Sequence, residues 1–230
     1  MRACLLCNSP LRNEMPLADL MRLTPLVKST ICENCSNGFV DLSSGPTCNV
    51  CGRNRLQGMP DPCQDCLRWM KSSELVFENA ALYAYNPFMK DFMKRYKFNG
   101  DYRLRQVFSG QIRQRLKKIN EVIVPIPVSI DTMATRGFNQ VTGLLDNLEY
   151  ADVLKVKAEK KAVRQSEKNR RERMALNQPF ELNQFEKNSI QNKAVLIVDD
   201  VYTTGTTIRH AATLMHEAGA TSVRGFTLAR

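Results

Sequence analysis

The chain has 230 residues, 43% of them hydrophobic, which is enough for one ordinary domain and a small one. Its 33 Lys and Arg against 23 Asp and Glu give a net charge of +10, a balance that suits polyanions such as nucleic acid or a phosphorylated substrate. No apolar run approaches the ~18 residues of a membrane span, and Met1-Arg2-Ala3-Cys4-Leu5-Leu6-Cys7 shows no apolar core of a secretion signal, so a cytoplasmic protein without a membrane span is expected. The charge is uneven: residues 1–70 hold 7 basic and 6 acidic side chains, residues 71–230 hold 26 and 17.

All eight cysteines fall in the first 66 residues, as four Cys-x-x-Cys pairs: Cys4/Cys7, Cys32/Cys35, Cys48/Cys51 and Cys63/Cys66. Each pair puts two sulfurs on one tight knuckle, and two knuckles make one tetrahedral thiolate site, so two structural zinc ions are expected. Sequential pairing gives Cys4, Cys7, Cys32 and Cys35 for one ion and Cys48, Cys51, Cys63 and Cys66 for the other. A cross-braced pairing, first with third and second with fourth, is the alternative. Disulfides do not suit a reducing compartment, and four pairs are too many for redox thiols. Residues 1–70 therefore read as a double zinc-ribbon domain, with a short helix expected around Asp19 to Leu26 inside the first long insert.

The remainder, 71–230, reads as one α/β domain. Leu75–Tyr85 holds one or two short strands, Asn86-Pro87 turns, and Phe88–Tyr96 is helical with Phe88, Phe92 and Tyr96 on one side. Tyr102–Ile119 reads as a second amphipathic helix. Residues 90–118 carry ten basic side chains and two acidic ones, which fits a solvated helix face and equally a surface for the backbone of single-stranded DNA or RNA. Glu121–Val128 is a buried strand whose Pro125 and Pro127 place it at an edge or past the end of the ladder. Ser129 and a short helix follow, then Arg136-Gly137-Phe138-Asn139-Gln140, where Arg136 either pairs with phosphate or faces solvent. Asn139–Leu148 reads as a helix, Val153–Val156 and Phe180–Leu182 as short strands, and Ser222–Leu228 as a final strand closing the sheet. Lys155–Arg173, with nine basic and three acidic residues, is either a mobile segment that contacts a polyanion or an ordinary exposed helix.

The most informative stretch is Val195-Leu196-Ile197-Val198-Asp199-Asp200-Val201-Tyr202-Thr203-Thr204-Gly205-Thr206-Thr207. The apolar run from Ala194 to Val198 reads as a strand buried on both faces. Asp199 and Asp200 stand at its end, and a hydroxyl-rich turn leads into a helix with Ile208, Ala211, Ala212, Leu214, Met215 and Ala218 on or near one face. The helix start offers unpaired N–H groups to a phosphate; the acids accept hydrogen bonds from sugar hydroxyls or help with a metal. Simple turn and capping roles are the plainer reading. His210, inside the helix, is expected at the surface.

This stretch resembles the phosphoribosyl-pyrophosphate (PRPP) signature of type I phosphoribosyltransferases. The resemblance implies a parallel-sheet α/β domain in which Asp199 and Asp200 hold the ribose hydroxyls. Thr203, Thr204, Gly205, Thr206 and Thr207 then hold the 5′-phosphate, and Mg²⁺ accompanies the pyrophosphate. It also makes Ser129, Arg136, Arg170, Arg171 and Arg173 candidates for pyrophosphate or polyanion contact. Pro125–Ser129 stands where relatives carry a pyrophosphate loop, and lacks the glycine many of them use.

Val124-Pro125-Ile126-Pro127 followed by Arg136-Gly137-Phe138-Asn139-Gln140, with the cysteine knuckles ahead, is similar to the competence protein F (ComF) family, as is Tyr85–Gly100 with its Lys97-Phe98-Asn99-Gly100. That resemblance implies a role in natural transformation, with single-stranded DNA handled in the cytoplasm beside an ATP-driven DNA translocase or helicase. A DNA-binding module with PRPP as ligand and an active phosphoribosyltransferase both remain open.

Overall fold

The structure, a computed structural model, describes residues 2–11, 29–56, 58–72, 75, 77–158 and 178–230. Among these residues the strands are β1 (Asn79–Tyr83), β2 (Val122–Pro125), β3 (Leu154–Val156), β4 (Phe180–Leu182), β5 (Ala194–Val201) and β6 (Ser222–Ala229). Four of them form a parallel sheet in the order β1-β6-β5-β2, and β3 and β4 pair antiparallel as a separate ribbon.

Strand β5 is flanked on both sides, with Ile197 opposite Val124 of β2 and Gly225 of β6, and Val195 to Val198 are buried. A strand enclosed this way has no solvent face, which accounts for its unbroken apolar run. Strand β2 lies at the edge, where Pro125 is tolerated opposite Val198. Strand β6 does not close the sheet as expected. It sits inside, between β1 and β5, because parallel strands join through crossovers and the order along the chain is not the order in the sheet.

The helices are α1 (Glu33–Ser36), α2 (Gln64–Ser72), α3 (Pro87–Phe98), α4 (Ser109–Leu116), α5 (Ile130–Arg136), α6 (Gln140–Leu145) and α7 (Thr206–Glu217). Asn86 caps α3, accepting from the Met89 N–H at 2.8 Å, and Pro87 fills its first position. Helix α3 buries Met89, Phe92, Met93 and Tyr96, while Phe88 stays on the margin. The single helix expected over Tyr102–Ile119 is instead a 3-10 segment, Tyr102–Val107, followed by α4. The break falls at Phe108, whose ring is drawn into an aromatic cluster with Phe39, Tyr83 and Phe92. Helix α6 stops before Leu148, at Asp146, which takes the Arg105 guanidinium at 2.7 Å. The insert helix expected around Asp19–Leu26 lies outside the described residues.

The cysteine-rich part packs against the sheet domain. Phe39 stacks edge-on against Phe88, Phe92 and Phe108 with centroids 4.8 to 5.6 Å apart. Residues 40–42 run along the free edge of β1, with the Leu42 N–H donating to Leu82 O and the Ala84 N–H to Val40 O, which covers that edge. No helix among the described residues is long and apolar enough to cross a membrane.

Candidate functional site

The carboxyl end of β5 carries the acid pair. Successive residues of a strand point to opposite faces, so Asp199 and Asp200 meet different surroundings. Both are buried, at 8% and 3% exposure. Oδ1 of Asp199 accepts the Asp200 N–H at 2.8 Å, and the Asp199 carboxyl also interacts with that of Asp200. Asp200 is fully engaged: Oδ1 accepts from Gln140 Nε2 at 3.2 Å, and Oδ2 is ion-paired with the Lys97 ammonium. Burial, reinforced by the neighbouring Asp200 charge, pushes the Asp199 carboxyl well above the usual carboxylate range. Burial also acts to raise Asp200, but the Lys97 ammonium outweighs it by charge and hydrogen bond and holds Asp200 low. The pair therefore presents one stable negative charge and one carboxyl that accepts a proton readily, a suitable partner for sugar hydroxyls. A diol spanning both acids requires Lys97 or Gln140 to yield one oxygen of Asp200.

The loop after β5 is held from behind. Arg230 Nη1 donates to the carbonyls of Tyr202 (3.1 Å) and Thr203 (2.6 Å), and Trp69 Nε1 donates to the carbonyl of Thr204 (2.9 Å). Gly205 takes a left-handed φ of +83°, and a Cβ there would lie 2.2 Å from the Tyr202 hydroxyl, so only glycine fits. The Thr204 and Thr206 hydroxyls are hydrogen-bonded at 2.9 Å, and α7 starts at Thr206. Among the described residues, the N–H groups of Thr203, Thr204, Gly205, Thr207 and Ile208 have no acceptor. Five free donors at the start of a twelve-residue helix, beside exposed Thr203 and Thr207 hydroxyls, make a cradle for an anion.

The eight cysteines gather into two clusters, Cys4, Cys7, Cys32 and Cys35, and Cys48, Cys51, Cys63 and Cys66, with ligand atoms in each within 4.8 Å of one another. This is the sequential pairing. Four thiolates at ~2.3 Å from one tetrahedral ion lie about 3.8 Å apart. The sulfur separations agree: Cys7 to Cys32 3.6 Å, Cys51 to Cys63 3.7 Å and Cys48 to Cys66 3.8 Å. Backbone N–H groups reach sulfur at Cys4 (from Cys32, 3.3 Å) and Cys48 (from Cys63, 3.3 Å), as suits thiolates. The residues could hold one metal ion in each cluster, with no open position for chemistry.

The other predicted residues divide. Ser129 caps α5, its hydroxyl accepting from the Thr132 N–H at 3.2 Å. Arg136 reaches the acid pair from the side: its guanidinium bonds Gln140 Oε1 and lies 6.0 Å from the Phe98 ring centre. Arg170, Arg171 and Arg173 lie outside the described residues. His210 is half-buried rather than superficial, and burial lowers its pKa. Of the ten basic residues in 90–118, three serve internally: Lys97 pairs with Asp200, Arg105 with Asp146, and Arg95 donates to the Leu5 and Leu6 carbonyls. Sequence reasoning missed Lys97, Gln140, Trp69 and Arg230 as parts of the site. Lys97 and Gln140 lay inside stretches quoted for other reasons, and Trp69 is the chain's one tryptophan.

Comparison with known proteins agrees with this geometry. The phosphoribosyl transferase domain family matches residues 106–230. A competence protein ComFC of Streptococcus pneumoniae is 38% identical over 231 residues, 99% of each chain. The chain belongs to the ComF family. A second relative, competence protein ComFC of Bacillus subtilis, is 33% identical over 99% of this chain and 94% of its own. Among solved structures, the allosteric regulatory enzyme of purine biosynthesis has 22% identity and a TM-score of 0.35, covering 54% of this chain and 25% of that one. In this ComF-family protein the phosphoribosyl transferase domain thus spans the sheet strands β5 and β6, the acid pair and the donor loop, and the paired thiolate clusters precede it.

Proposed function

We propose that this protein holds PRPP, accompanied by Mg²⁺, at the turn between β5 and α7, and binds single-stranded DNA in the cytoplasm as a competence protein. The observation that carries this reading is the cradle: five N–H donors without an acceptor among the described residues, with threonine hydroxyls beside a buried acid pair. The donors suit the 5′-phosphate, and Oδ2 of Asp199 suits a ribose hydroxyl. The competence role comes from the two relatives named ComFC. Zinc is the ion proposed for each thiolate cluster, since four thiolates in a closed tetrahedron are its usual structural site.

Single-stranded DNA is favoured as the polyanion by the helix that carries Lys97. On it Phe98 is 77% exposed and stands next to Arg136, and Lys90 and Lys94 are exposed. An exposed aromatic ring with basic side chains is the pattern that stacks bases and neutralises phosphates. An ATP-driven DNA translocase of the competence machinery is the proposed protein partner. Filter binding of a single-stranded oligonucleotide across a salt series tests the DNA reading. Retention that falls steeply with salt is expected; no retention, or a flat response, contradicts it.

A second reading, an active phosphoribosyltransferase on a nucleobase or other acceptor, is favoured by the completeness of the same cradle. Pyrophosphate release from PRPP in the presence of candidate acceptors tests it, with no release counting against chemistry.

A further inference from the structure

The second thiolate cluster and the anion cradle share a wall. Helix α2 begins at Gln64, between the cluster residues Cys63 and Cys66, so a metal ion there fixes where the helix starts. From this helix Trp69 reaches the Thr204 carbonyl at 2.9 Å. Asp65, on the same helix, lies 4.0 Å from Nη2 of Arg230, whose Nη1 holds the Tyr202 and Thr203 carbonyls. The Arg230 side chain is 6% exposed, and Asp65 also takes the Arg53 guanidinium at 2.7 Å.

Three consecutive carbonyls are therefore turned towards Trp69 and Arg230, the latter lying against Asp65 of helix α2. A trans peptide sets the N–H of the next residue opposite its carbonyl. The N–H groups of Thr203, Thr204 and Gly205 accordingly point the other way, and these are donors with no acceptor among the described residues. Behind them Arg209 is held against the rings of Trp69 and Phe77, at 5.1 and 5.3 Å, with its Nε 3.4 Å from the Tyr202 hydroxyl that abuts Gly205. Among the described residues the first cluster has no such link to the loop; it is tied to the sheet domain by Arg95, which donates to the Leu5 and Leu6 carbonyls, and by Thr30, which donates to the Gln106 carbonyl.

We propose that the metal site at Cys48, Cys51, Cys63 and Cys66 and the anion cradle are energetically coupled, with Trp69 and Arg230 as the positioning residues that carry the coupling. A filled cluster holds the loop's peptide planes ready for a sugar phosphate, and the sugar phosphate tightens metal binding, since linkage makes the coupling reciprocal. The first cluster makes no hydrogen bond to the loop among the described residues, and its tie to helix α3 leads to the acid pair instead, so it serves as the comparison site. The inference rests on the reading of the loop as the phosphate site.

The test loads the full chain with zinc and titrates it to equilibrium against a chelating indicator of known zinc affinity, with and without saturating PRPP and Mg²⁺, beside PRPP affinity by calorimetry. In the native protein one zinc is held on the order of 10-fold more tightly with PRPP, and the other is unaffected. Trp69→Phe removes the indole donor but keeps a ring, and Arg230→Lys keeps the charge but not the fork. Each variant is expected to lose the tightening and to weaken PRPP binding by a similar factor. Should Trp69→Phe not retain zinc, Arg230→Lys decides. PRPP binding with unchanged affinity for both zincs, or full tightening in the variants, overturns the coupling alone. Absence of PRPP binding to the zinc-loaded native protein overturns the phosphate-site reading, and the coupling with it.

Discussion

The Lys97 ammonium is ion-paired with Oδ2 of Asp200, and this contact keeps a carboxyl that is 3% exposed ionised against the pull of burial. Lys97→Met strands a buried charge, and breaking such a pair costs about 3–5 kcal/mol. The sign follows from the depressed folded value. The stabilisation is present above the unfolded carboxyl value of about 3.9 and is lost as the pH falls through the lower folded one. Urea midpoints of the two proteins are expected to lie far apart at pH 7 and to converge in acid. Equal midpoints at pH 7 would remove this pair from the site's energetics.

Asp199 behaves in the opposite way. Its carboxyl is raised by burial and by Asp200, so the folded state prefers it protonated. Its ionisation subtracts from stability as the pH rises from about 4 through the raised folded value. Asp199→Asn keeps the acceptor for the Asp200 N–H and removes that cost. Its melting temperature is expected to exceed the native protein's by a margin that grows with pH across that window. A margin independent of pH would show that Asp199 stays ionised.

Gly205 is fixed by its φ of +83° and by the Tyr202 hydroxyl at 2.2 Å from a built Cβ. Gly205→Ala costs about 1–2 kcal/mol for the backbone alone, and the clash adds to it. Thermal unfolding is expected to show the full loss, and Gly205→Ala combined with Tyr202→Ala to recover none of the backbone part.

Two metal ions per chain are expected by elemental analysis of the purified protein. Cys63→Ser is expected to leave one, since its sulfur lies 3.7 Å from that of Cys51 in the second cluster only. Loss of both ions from that single change would mean that the clusters are not separate.

Local patterns were legible in the sequence, and long-range partners were not. The apolar run of β5, the acid pair, the glycine turn and the four cysteine knuckles each fit within a short window; the structure sets the acids and the glycine turn at the end of β5 and the knuckles in two clusters. The sheet order was hidden, because β6 follows β5 in sequence but also pairs with β1. Lys97 and Trp69 reach the site across 103 and 135 residues, and no local period encodes such a contact. Tyr102–Ile119 has one amphipathic pattern, yet the demand of the aromatic cluster for Phe108 splits it. The basic count over 90–118 overstated the free surface, since Arg95, Lys97 and Arg105 hold internal acceptors.

Calorimetric titration of PRPP with Mg²⁺ into the zinc-loaded protein tests most directly whether the turn between β5 and α7 grips a phosphorylated pentose. One molecule is expected to bind per chain, and Asp199→Asn, which keeps the fold, is expected to weaken it on the order of 10-fold because one acceptor oxygen is replaced by an NH2 that cannot accept from a ribose hydroxyl. No binding to the native protein, or undiminished binding to the variant, would contradict that assignment.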